Sequence, residues 1–122
     1  MALPVVLLLS AGVAAAQAPT DGVDSVEREV QAAQDALARA IAEFDGPQQS
    51  RSIVAFDEVI SRLEGLGTRS LPARGREMLA QAYEYRGRAY FGIGLSEKAS
   101  ENFRMLVRLK PDYVVAKDRV SP

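Results

Sequence analysis

The stretch YRGRAYFGIGLSEKASENF, Tyr85–Phe103, carries the pattern from which the fold can be read. Tyr83 lies four residues before Gly87 and Tyr90 three after it, so the three share one helix face. Beyond Gly92 and Gly94, the residues Ala99, Phe103 and Leu106 repeat the steps of four and three. The spacing predicts a helix that enters at Pro72, whose missing N–H is harmless in a first turn, and runs to about Ile93. Gly92 and Gly94 then break it, Ser96 is placed as an N-cap, and a further helix runs from Glu97 to about Lys110. Pro111 follows the stop. Gly87 and Ala99 are small enough for two backbones to approach where these helices cross, with Tyr83, Tyr90 and Phe103 filling the space beside them.

Together, Tyr83, Gly87, Tyr90, Ala99, Phe103 and Pro111 resemble the tetratricopeptide repeat. That repeat is a helix–turn–helix of about 34 residues with the pattern W-x2-L-G-x2-Y, then A-x3-F, then P. Tyr83 takes the large aromatic slot, Gly87 the glycine and Tyr90 the tyrosine, and the match covers 80–113. Arg86 departs from it where leucine is common, and Leu106 stands where a small residue is usual. The resemblance implies an all-α fold of antiparallel helix pairs stacked as a short tetratricopeptide-like α-solenoid. It also implies a groove for a protein or peptide partner, lined by the first helix of the pair. The groove-facing slots fall on Gln81, Glu84, Arg88 and Phe91. Glu84 and Arg88 also stand four apart, which favours a simple ion pair along the helix. Phe91 lies off the Tyr83–Tyr90 face and is the better candidate for an anchor.

Outward toward the N-terminus, 23–67 reads as a degenerate or capping hairpin. Asp24 and Glu27 form an acidic variant of a capping box. Val26, Val30, Ala33, Leu37, Ile41 and Phe44 then recur at steps of three or four, until Gly46 and Pro47 stop the helix. A second helix from about Ser50 to Leu66 carries Ile53, Phe56, Ile60 and Leu63 on one stripe. The stretch 68–79 is read as a connection and the start of the third helix, with GTRSLPARG as a looser insertion.

The first residues, MALPVVLLLSAGVAAAQAPT, are apolar from Ala2 to Ala16 and shorter than the roughly 20 residues that span a bilayer. Ala14 and Ala16 offer a small-residue cleavage pattern, so 1–16 is expected to be a signal peptide and 17–22 a linker, although no Lys or Arg precedes the apolar run. Export to a bacterial periplasm or beyond follows, without stable membrane insertion after cleavage. The stretch 114–122 is a tail, or the start of a further helix cut short.

Composition narrows the role. The chain has 122 residues, a formal charge of −1, no histidine and no cysteine. Those absences remove the usual neutral-pH acid–base group, thiolate nucleophiles, disulfides and the commonest metal ligands. The arginines around RGR are interleaved with Glu77, Glu84, Glu97 and Glu101, which argues for a solvated face and against nucleic acid. A non-catalytic interaction scaffold without cofactor or metal is therefore expected, with self-association through an exposed repeat end as a further expectation. The competing reading is an N-terminal structural module of a larger secreted protein.

Overall fold

The computed structural model describes the backbone of residues 5–113 and the side chains of 22 and 24–113. It is all-helical, with no strand among the described residues. Helix α1 spans Val5–Phe44, α2 Ser52–Glu64, α3 Ala73–Gly92 and α4 Ser96–Leu109, with short 3-10 turns at Gln49–Arg51 and Thr68–Ser70. Helix α1 begins well before Asp24 and runs through the expected linker at 17–22. Its alanines, the best helix formers, favour this continuity. The expected tail, 114–122, lies outside the described residues.

Helix α3 is the centre of the molecule and packs against α1, α2 and α4. Its buried residues, among them Gly75, Met78, Leu79, Ala82, Tyr83, Tyr85 and Ala89, fall on nearly every side of the helix. A helix of mixed polarity can be surrounded in this way only if many of its buried side chains are small. Gly75, Ala80, Ala82, Gly87 and Ala89 supply that condition. Tyr85 closes the core where three helices meet. Its ring stacks on Phe56 with centroids 5.5 Å apart and meets Phe44 edge-on at 5.0 Å. Each of these buried aromatics contributes about 1.5–3 kcal/mol from burial alone.

The connection at 68–79 is less loose than its composition implies. Gly67 takes a positive φ of 84°, and the Ser70 N–H donates to the Gly67 carbonyl at 3.0 Å. Leu71 turns into the core, and a Cβ on Gly75 would meet its Cδ2 at 3.2 Å. One leucine therefore makes this insertion part of the hydrophobic interior.

The α3–α4 crossing follows the expected spacing. A Cβ on Gly87 would come within 3.0 Å of Phe103 Cζ and 3.2 Å of Asn102 Cβ. Ala99 is buried beside them. Two details differ. Leu95, not Ser96, is the N-cap residue of α4, with no side-chain cap. Tyr90 is half-buried and lies outside the core, its ring 5.4 Å from Lys98 Nζ.

Candidate interaction surface

Two turns lie together at one end of the molecule. The α1–α2 turn brings Gln49 so close to α3 that a Cβ on Gly92 would stand 3.2 Å from its Oε1. Gln49 is held there by its own bond from Nε2 to the Phe44 carbonyl at 3.3 Å. The α3–α4 turn closes by paired backbone bonds. The Leu95 N–H donates to the Tyr90 carbonyl, and Gly94 N–H to that of Phe91, both at 3.0 Å. With Gly94 at φ 84°, this is a Schellman motif, in which glycine reverses the chain while the last helical carbonyls stay bonded.

The turn presents apolar surface. Phe91 is 68% exposed, Ile93 48% and Leu95 44%. Single exposed hydrophobics are ordinary on a soluble protein, whereas large ones grouped on one rigid turn form a patch suited to a partner. Phe91 therefore lies where an anchor is expected, and Ile93 and Leu95 extend it. Of these two, the sequence pattern marks only Ile93, as the end of the third helix. The signal was present in the alternation of apolar residues with Gly92 and Gly94.

The rest of the expected groove is occupied by the chain itself. Glu84 is 0% exposed and accepts a hydrogen bond from the Tyr113 hydroxyl at 2.7 Å. Arg88 Nη1 stands 3.9 Å from Glu84 Oε2, and its guanidinium lies over the Phe44 ring at 5.0 Å and the Tyr85 ring at 5.6 Å. Glu84 is thus not a contact for a bound peptide, and Arg88 is committed to the interior. The cause is tertiary: α1 and the residues after α4 cover this face of α3. Gln81 is half-buried on the same helix. Of the four residues, only Phe91 is mainly exposed.

Arg86 occupies the slot where the repeat pattern has leucine, and it acts as a polar clamp. Its Nε donates to Asn102 Oδ1 of α4 at 2.7 Å, and its Nη1 to Asp57 Oδ1 of α2 at 2.8 Å. Tyr83 is buried as expected, and its hydroxyl donates to the Glu64 carboxylate. Burial, reinforced by that carboxylate, pushes its pKa well above the ordinary 10.0. Lys110 at the end of α4 pairs with Glu77 of α3, and the bond to Glu77 raises its pKa too.

No group of three or more acidic side chains among the described residues is placed to hold a metal ion. Among them, too, no helix is long and apolar enough to cross a membrane. The class the structure defines is a small all-helical protein with an apolar turn exposed at one end. No family model, curated protein or solved structure matches the chain.

Proposed function

We propose that this protein is a non-catalytic scaffold of tetratricopeptide type that holds a protein partner in a bacterial cell envelope. The observation that carries the reading is the trio Phe91, Ile93 and Leu95, fixed on a glycine turn with its apolar surface in water. The close approach of Gly87 to Phe103, with Ala99 buried beside it, supports the repeat. The apolar run ending in AAAQA supports export.

The docking surface in this reading is the end of the molecule and not a groove along α3, because Glu84 and Arg88 are already engaged. Because the turn is already closed by its own backbone bonds, docking an apolar side chain against Phe91 would cost little backbone ordering of this chain. Affinity capture from an envelope extract tests it, with wild type beside a Phe91→Ser, Leu95→Ser variant whose helicity is checked by circular dichroism. A partner retained by wild type and lost by the variant is the expected outcome. Equal recovery of every bound protein sinks the site. Mapping the mature N-terminus tests export separately, and an intact Met1 on cytoplasmic protein rejects it.

A further inference from the structure

Helix α4 packs against α3, and a strip of its surface beside that seam is open to water. Ser100, Phe103 and Val107 recur there at steps of three and four and line an open recess of about 570 Å³ with Arg104 and Arg108. Val107 is 58% exposed, and Phe103, whose ring tip abuts Gly87, is half-buried. Along one flank of this apolar stripe runs a row of four charges: Glu97, Glu101, Arg104, Arg108. All four are exposed. None takes part in an ion pair within the chain among the described residues.

The order of the row is informative. Both acids lie toward the start of α4 and both bases toward its end. The helix's own dipole accounts for Glu97 and Arg108, since it acts within the first and last turns. It does not reach Glu101 and Arg104, which lie in the middle of the helix. A row that runs acid, acid, base, base is complementary to itself when reversed. In an antiparallel helix pair, the same flank of each helix meets its counterpart. Glu97 and Glu101 of one copy would then lie alongside Arg108 and Arg104 of the other, with Phe103 near the two-fold axis and Ser100 facing Val107. In a parallel pair the two rows would lie on opposite sides of the seam and would not meet.

We propose that two copies of this chain associate through α4, packed antiparallel about a two-fold axis near Phe103. The stripe supplies apolar contact, and the charge row sets direction and register. At about 1.5 Å per residue the shared helix is about 21 Å long, so the dimer is small and reversible, of the class that responds to concentration and salt. The recess on α4 is lined by none of Phe91, Ile93 and Leu95, and the pairing does not depend on that turn's role.

Sedimentation equilibrium of the full chain over a concentration series tests the pairing. Wild type is expected to pass from the single-chain mass to twice that mass, and added salt should weaken the association. Val107→Asp abolishes it. Charge exchange gives the decisive arm. An all-acidic row (Arg104→Glu, Arg108→Glu) and an all-basic row (Glu97→Arg, Glu101→Arg) should each stay at the single-chain mass alone and form a dimer when mixed. All these residues are exposed, and circular dichroism confirms that each variant is folded. The proposal is overturned if wild type never leaves the single-chain mass, if Val107→Asp leaves the dimer intact, or if the mixture does not associate. Loss of the dimer in Phe91→Ser would place the contact at the α3–α4 turn and overturn it as well.

Discussion

Gly87 is the residue at which one added carbon would be felt most directly. Its missing Cβ leaves room for the Phe103 ring, which would otherwise lie 3.0 Å away, inside ordinary contact distance. Gly87→Ala should therefore cost about 1–3 kcal/mol by overpacking, even though alanine is the better helix former. Urea denaturation measures this, and an unchanged midpoint would mean that Phe103 swings aside freely. Tyr83 gives a pH signature. Its folded pKa is raised by burial and Glu64, so its contribution is fully present below the unfolded value near pH 10 and falls as pH climbs above it. Denaturation midpoints measured between about pH 8 and 11 should drop more steeply for wild type than for Tyr83→Phe. Parallel slopes would reject the assignment.

At the scale of elements, the α3–α4 turn depends on Gly94. Its φ of 84° is costly for any residue with a Cβ, so Gly94→Ala should destabilise by about 1–2 kcal/mol although open space surrounds the position. The free space makes this a backbone effect, and Gly94→Asn should recover part of the loss because asparagine tolerates the left-handed region. Thermal melts of the pair distinguish backbone strain from packing. The turn was legible from Gly92 and Gly94 in the sequence, and so was the end of α4 before Pro111. The start of α1 was not. Capping residues at Asp24 and Glu27 mark a helix start only if the chain ahead is not itself helical, and here α1 already runs through them.

Across the whole molecule, Arg86 ties α3 to both α2 and α4. Arg86→Met keeps the aliphatic stem but removes both bonds, leaving the buried Asn102 Oδ1 without its donor; the expected loss is about 1–3 kcal/mol. Asp57→Ala breaks only the more exposed bond and should cost less than about 1 kcal/mol. Denaturation of the two variants side by side checks the ranking, and an equal cost would show that Asn102 finds another partner. The clamp also shows why a match to a linear pattern reads arginine there as a mere departure. The groups that occupy its guanidinium lie 29 and 16 residues away, and no local spacing reports them.

The all-helical class, the close crossing at Gly87 and Ala99 with Phe103 beside it, and the exposure of Phe91 are legible in the linear chain. Each follows from periodicity, residue size or a glycine break within a few turns of chain. The packing of the helices sets the rest: Leu71 belongs to the core, Tyr85 and not Tyr90 joins the aromatic cluster, and Glu84 is sealed from solvent. Burial on a helix surrounded by three others depends on what each neighbour brings. Phe44, Phe56 and Tyr113 reach α3 from 41, 29 and 29 residues away, counted from Tyr85, Tyr85 and Glu84 respectively.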